Sequence, residues 1–337
     1  MHMTDSLLSP AVGAAIAAVS VAAIGYSVAK VKKDDLCEKK VPVMGVMGAF
    51  VFAAQMIDVT IPGTGSSGHI GGGILLAAML GSFPAALSLS AVLIIQCLFF
   101  ADGGLLALGC NIFNLAVVPC LIVYPLLFKP FVKKGTAQTP GRITAASIIA
   151  VVAGLQLGAF GVVVQTHLSG ITALPFASFV LLMLPIHFVI GLGEGVVTAA
   201  VLCFVYRTRP EIMDSALTGT PIKAGVPLRN TIILFATITL VAGSVLSMFA
   251  SSYPDGLEWS VERVSGHTEF ETENPFIEAV ESIHERIAVM PDYDFRDAGE
   301  DGSAAGTSAA GVVGVAVTFA LAGLSAFVIS RVKRKIS

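Results

Sequence analysis

Apolar residues run along this chain in long unbroken stretches, separated by short polar segments. Helical spans are predicted at about 7–29, 42–60, 71–83, 84–101, 106–128, 143–166, 177–206, 229–250 and 311–330. Most are long enough to cross the ~30 Å hydrocarbon core of a bilayer. The third and fourth come from one run, 71–100, which is too long for a single helix. Pro84 interrupts it and predicts a tight hairpin there. The runs are continuous rather than alternating, which excludes a transmembrane β-barrel. The fold class that follows is an all-α polytopic membrane protein.

Composition agrees with that pattern. Of 337 residues, 55% are hydrophobic and 13% charged, against about 25% charged in soluble domains, so a single water-soluble globule is excluded. The charges that remain are sorted. Seventeen of the 20 Lys and Arg fall in four segments, beginning near Lys30, Lys129, Arg207 and Arg331, and leave only Arg263, Arg286 and Arg296 elsewhere. With nine spans those four segments share one face, and the positive-inside rule makes it the cytoplasmic one, N-out and C-in. Merging the pair around Pro84 scrambles this separation.

From Asp255 to Asp301 the chain carries 14 acids against three arginines. It reads as an outside loop with acid-rich flexible flanks and one short amphipathic helix starting near Asn274-Pro275 and carrying Phe276, Ile277, Val280, Ile283 and Ile287. A compact polar linker, 208–228, precedes the helix before that loop. The expected organisation is a seven-helix unit, 1–215, and an appended two-helix unit, 216–337, with helix 229–250, acidic loop 251–310 and helix 311–330. The five cysteines form no CxxC pair and read as buried filler. Met1-His2-Met3-Thr4-Asp5 lacks the basic start of a signal peptide, so the amino terminus is expected to be retained.

Three unusual segments meet on the outer face: the free terminus Met1-His2, the glycine loop 62–73 around His69, and the stretch from Phe99 to Asn114 with Asp102-Gly103-Gly104. A histidine at position 2 offers three nitrogens from one dipeptide. The α-amine and the His2 amide close a five-membered ring on a metal, and the amide and imidazole Nδ1 close a six-membered one. The His69 imidazole would complete a four-nitrogen plane. Such planar fields suit Ni(II) or Cu(II), and binding requires loss of the amide proton, so it weakens in acid.

Within the spans His187 and Glu194 stand two turns apart on one helix face, as a relay, a coupling-ion site or a packing contact. Asp58 and Asp102 lie near the outer boundary, as loop tethers or ligand support. Gly45, Ala49 and Ala53, and likewise Ala14, Ala18 and Ala22, form small-residue stripes suited to helix docking. Gly65-Ser66-Ser67-Gly68 resembles the GxSG pattern of rhomboid intramembrane proteases, with His187 as the partner Ser67 would need. There is no Walker GxxxxGK[ST] and no HExxH helix.

Taken together, these motifs resemble the substrate-capture component of nickel/cobalt energy-coupling-factor transporters, in the form that fuses the M and N subunits. The resemblance rests on Met1-His2 with Asp5 and Leu8-Ser9-Pro10, on His69, on the stretch from Phe100 to Asn114, on His187 through Gly195, and on Pro254-Asp255-Gly256-Leu257-Glu258-Trp259. The start departs from the family's more usual MHIPDG, with Met3-Thr4-Asp5-Ser6 here.

The resemblance implies a seven-helix S-component-like bundle in a prokaryotic inner membrane. It implies Ni(II) as transported substrate, with Co(II) for cobalamin synthesis as the alternative, held by Met1, His2 and His69. It also implies a T-type coupling subunit and cytoplasmic ABC ATPases as partners, with the Gly45/Ala49/Ala53 stripe as the docking surface. An enzyme, an organic cofactor and a nucleic-acid partner are not expected. The rival readings are a serine protease on Ser67 and His187 and a passive channel.

Overall fold

The computed structural model describes residues 1–33, 37–133, 139–219, 229–268, 270, 274–297 and 303–334. A terminal peptide with one 3-10 turn, Asp5–Leu7, leads into α1 (Pro10–Lys33) and α2 (Cys37–Gln55). A two-stranded antiparallel hairpin follows, β1 (Val59–Ile61) and β2 (Ser66–Gly68), with Thr60 opposite Ser67. Then come α3 (Gly73–Leu80), α4 (Ser82–Phe100), α5 (Leu108–Val132), α6 (Pro140–Ser169) and α7 (Phe176–Thr208). The short α8 (Pro210–Thr218) precedes α9 (Arg229–Ser244), α10 (Gly256–Ser265), α11 (Pro275–Ile287) and α12 (Ala304–Arg334).

Six of these helices, α1, α4, α5, α6, α7 and α12, are long and apolar enough to cross a membrane, and α2 and α9 are shorter apolar helices. Leu157, Leu181, Phe188 and Val196 on α6 and α7 expose their side chains. In water that would be a liability, and in lipid it is the ordinary outer face of a bundle.

The stretch expected as a helix over 71–83 differs. Its first residues are irregular, and the helix that follows is α3, eight fully buried residues spanning about 12 Å. The chain breaks at Gly81 (φ +89°), whereas Pro84 sits in the first turn of α4, where its missing N–H costs nothing. Hydropathy marked the apolar run, but glycine conformation decided its shape. The all-α expectation is likewise amended by the β1–β2 hairpin.

The acidic segment differs too. The amphipathic stretch is α11, N-capped by Asn274 Oδ1, which accepts from the Phe276 N–H at 3.0 Å. A second helix, α10, stands where a flexible flank was expected. Asp255 and Glu258 close a reciprocal capping box on it, a signature visible in the sequence as D-x-x-E.

Nor is the carboxyl-terminal part peripheral. α12 lies along α2, with Phe319 filling the space over Gly45, and Thr318 and Ala322 that over Gly48. Gly311 meets Gly243 of α9 backbone to backbone, and Gly314 seats Phe52. Gly45, Ala49 and Ala53 are therefore buried within the chain. The stripe expected to receive a coupling subunit is covered by the protein's own helix, because small residues let α12 approach closely. On α1 the packed positions are Gly13 and Ala17, against Leu106 and Gly109, whereas Ala14, Ala18 and Ala22 are exposed.

This packing sets a test. In Gly45→Leu the new side chain collides with Phe319, 3.2 Å from where its Cβ would sit, whereas Gly25 has nothing within 4 Å. Overpacking costs about 1–3 kcal/mol. The melting temperature of Gly45→Leu in detergent is expected to fall by several degrees, with that of Gly25→Leu unchanged or higher.

Candidate metal site at the buried amino terminus

The peptide before α1 is threaded between the 101–107 loop and α5. Asn111 Oδ1 accepts from the Met3 N–H at 2.7 Å and its amide donates to the Met3 carbonyl at 3.1 Å. The Gly104 N–H donates to the same carbonyl, and Asp5 Oδ1 accepts from the Ala107 N–H at 2.9 Å. Gly103 (φ +80°) and Gly104 let the loop come this close: a Cβ on Gly103 would sit 2.6 Å from the Asn111 amide, and one on Gly104 would overlap Asp5. Met3 and Leu8 are fully buried. The Asp-Gly-Gly stretch noted in the sequence is thus the groove that holds the terminus.

The threading places Met1 and His2 against the glycine loop. The His2 and His69 rings stack with centroids 5.3 Å apart and planes 15° from parallel. The Met1 ammonium, itself buried, donates to the half-buried Asp255 Oδ2 in an ion pair. His2 Nδ1 lies 3.0 Å from Asp102 Oδ1, whose other oxygen accepts from the Tyr293 hydroxyl at 2.5 Å. Tyr293 stacks on Phe100 at 4.7 Å and holds a left-handed backbone, φ +59°, uncommon for a bulky residue and a sign that its surroundings pin it there. His69 Nδ1 faces the Ile70 carbonyl at 3.2 Å. Donation there leaves Nε2 with its lone pair free.

The glycine loop is held from two sides. On the bundle side the Glu194 carboxylate accepts from the Gly71 and Gly72 N–H groups, both at 2.9 Å, and Gln55 donates to the Gly71 carbonyl at 2.9 Å. On the other side Ser67 donates from its backbone to the Pro254 carbonyl and from its hydroxyl to that of Tyr253, and the Trp259 indole N–H donates to the Thr64 carbonyl at 3.0 Å. Irregular backbone at membrane depth survives only when its polar groups are satisfied within the protein, and these bonds satisfy them.

His187 and Glu194 share a face of α7, as their spacing predicts, but serve different ends. Glu194 is the anchor of the loop. His187 donates from Nδ1 to the Met183 carbonyl, 2.8 Å away, and its ring lies against Gly256. Ser67 and His187 share no hydrogen bond among the described residues, so the nucleophile–base pair of a serine protease is not formed.

Electrostatics follow from burial. Desolvation alone would lower the Met1 amine, but the Asp255 charge and hydrogen bond outweigh it and hold the ammonium above its ordinary range. Burial would raise Asp255, and that same ammonium keeps it well below the usual carboxylate range. Asp102 is likewise held low, against its burial, by His2 and Tyr293. Burial first, then the Met1 ammonium and His2, push His69 down to about 4. At neutral pH His69 is therefore an uncharged nitrogen donor. Burial and neighbouring Asp255 raise Asp58 to about 7, and Asp255 and then burial raise Glu258 to about 7.

Met1, His2 and His69, named together from the sequence, thus converge. Among the described residues no three His, Cys, Asp or Glu side chains gather as a ligand cluster; the nitrogen groups brought near one another are the His2 and His69 imidazoles and the Met1 amine. Two of them face carboxylates, the amine Asp255 and the His2 Nδ1 Asp102. Sequence reading missed Asp255 and Tyr293 as site residues. Asp255 stood inside a recognised motif, but nothing local points across 254 positions to Met1.

Residues 2–212 match the family described as the cobalt uptake substrate-specific transmembrane region, and residues 229–331 match the PDGLE domain. A protein of Archaeoglobus fulgidus named for fused nickel transport is 30% identical over 95% of this chain and 96% of its own length. A fused nickel transport protein of Rhodobacter capsulatus is 30% identical over 78% of this chain and 76% of its own. A crystal structure of a truncated transition metal transporter is 28% identical with a TM-score of 0.54, over 62% of this chain and 99% of that one. The chain therefore belongs to the cobalt uptake substrate-specific transmembrane family of membrane metal-transport components, with a PDGLE domain fused behind it.

Proposed function

We propose that this chain is the substrate-capture component of an ATP-driven nickel uptake system in a prokaryotic inner membrane, with cobalt as the second candidate cargo. Ni(II) binds from outside through the Met1 amine, the His2 amide and imidazole Nδ1, and His69. A T-type coupling subunit and cytoplasmic ABC ATPases then drive its release inward. The observation that carries the reading is the stack of His2 on His69 beside a buried chain terminus. Nickel is favoured by the planar nitrogen set, and the fused nickel-transport relatives point the same way. The cobalt reading draws on the family description.

In this reading the chain makes nine passages, N-out and C-in, and the Gly71–Gly72 loop together with α3 supplies the third. Lys30 and Arg207 fall in the last turns of α1 and α7, and Arg142 and Arg229 in the first turns of α6 and α9, which supports a shared basic face. Residues 1–215 form the capture domain and 216–337 the second unit. Asp255 and Asp102 act as counter-ions that the incoming dication replaces: the amine and the imidazole exchange a carboxylate partner for the metal.

Two outcomes are expected. His2→Ala, and a chain with one residue added before Met1, each lose at least 100-fold in Ni(II) affinity by competition with a chromophoric chelator. Unchanged affinity in the extended chain would sink the chelate. Second, the amine and the amide each lose a proton on binding, so affinity rises with pH by up to about a hundredfold per pH unit below the raised amine pKa. Asp255→Asn keeps a capping oxygen on α10 but removes the charge that holds the ammonium. Burial then favours the neutral amine, and the pH slope approaches one proton; a slope identical to that of the unsubstituted chain would contradict this.

A further inference from the structure

The bundle covers only part of the apolar surface of α11. At about 100° per residue, Ile277, His284 and Ala288 fall on one side of the helix and are buried, Ile277 and Ala288 at 0% exposure. Phe276, Ile283 and Ile287 recur at i, i+7 and i+11 on the adjoining side, and Phe276 and Ile283 are 55% exposed. Val289, just past the helix, is exposed as well. Glu278, Ser282 and Glu285 take the far side, turned to solvent.

The buried side fixes the level at which the helix lies. His284 Nε2 donates to the Cys97 carbonyl at 2.7 Å, and the Val289 and Met290 N–H groups donate to the Phe99 carbonyl at 2.8 and 2.9 Å. Cys97 and Phe99 stand in the last turn of α4, a helix long and apolar enough to cross a membrane. α11 also packs on the Asp5–Leu7 turn, just ahead of α1. Two membrane spans therefore hold it at their shared end, where hydrocarbon gives way to headgroups. Its 13 residues reach about 20 Å, too short to cross the ~30 Å core.

We propose that the exposed face of α11 is a membrane-surface anchor, with Phe276, Ile283 and Ile287 seated among lipid acyl chains close to the headgroups. Its level favours lipid over a protein partner, and so does its pattern. An apolar face at the membrane boundary, backed by carboxylates on the far side, is the arrangement of a helix that lies in the interface. Arg286 stands exposed at the rim of that face, where a long cationic side chain can reach a lipid phosphate. The segment from Asp255 to Asp301 carries 14 acids against three arginines, so apolar burial and not attraction to anionic lipid makes the contact. The contact is accordingly indifferent to salt and to lipid charge. It ties the PDGLE segment, which carries Asp255, to the bilayer surface.

Depth-resolved fluorescence quenching tests the anchor in the full chain reconstituted into phosphatidylcholine nanodiscs. Trp259 is the chain's only tryptophan and supplies the baseline. Ile283→Trp adds a reporter on the proposed face, and Glu285→Trp adds one on the far side. Lipid brominated close to the headgroup is expected to quench the added emission of Ile283→Trp at least threefold more than that of Glu285→Trp, and more than lipid brominated near the chain ends does. The ratio is expected to hold in anionic lipid and in high salt. If Ile283→Trp is not monodisperse in detergent, Phe276→Trp, aromatic for aromatic, is read in its place. Equal quenching at the two positions would overturn the anchor, as would stronger quenching from the chain ends, which places the helix in the bilayer interior. An Ile283→Trp signal shielded from aqueous acrylamide yet untouched by brominated lipid would overturn it in favour of a second copy or another protein on that face. Quenching that needs anionic lipid, or that salt abolishes, would contradict the apolar contact.

Discussion

A charged chain terminus buried in an apolar bundle is the constraint from which the rest of this structure follows. Burying an unpaired charge is costly, so the Met1 ammonium needs a fixed counter-charge. Asp255, from the far end of the sequence, supplies it. That need explains why the PDGLE segment is docked. Asp255 is positioned by its own capping box, the preceding carbonyls of Tyr253 and Pro254 take the Ser67 donors, and Trp259 reaches Thr64. α9 and α12, packed through facing glycines against each other and α2, carry the segment to that position.

The same logic shapes the glycine loop. His69 must stand beside His2 without a helix around it, which leaves backbone N–H groups exposed at depth. Glu194 takes two of them and Gln55 answers a carbonyl. Gly72, at φ +75° and pressed on Val51, allows the turn into α3. The loop is thus held rigid from within the bundle, while its opposite face is held by the segment that also pairs with Met1. The PDGLE segment thus contacts the outer face of the loop and the terminus alike.

Much of this was legible in advance, and for physical reasons. Lipid demands long apolar helices, so the six longest of them could be read from the run of residues. Met1, His2 and His69 could be grouped because their chemistry is rare and their loops fall on the same boundary. Three features escaped. Gly71 and Gly72 score as apolar yet make loop, so α3 was drawn too long. The Gly45 stripe signals close packing but not its partner, which proved to be α12. Asp255 and Tyr293 owe their roles to tertiary contacts with residues far away, and no local periodicity carries that information. The α10 helix was missed although its D-x-x-E cap was in plain view.

The central claim is that a dication takes the place of two carboxylate contacts and is held by nitrogen alone. Nickel K-edge X-ray absorption of the full chain loaded with one Ni(II) tests it directly. The account predicts a four-coordinate planar spectrum fitted by nitrogen scatterers, including imidazole. A six-coordinate spectrum with oxygen in the first shell, as ligation by Asp102 or Asp255 would produce, would contradict it.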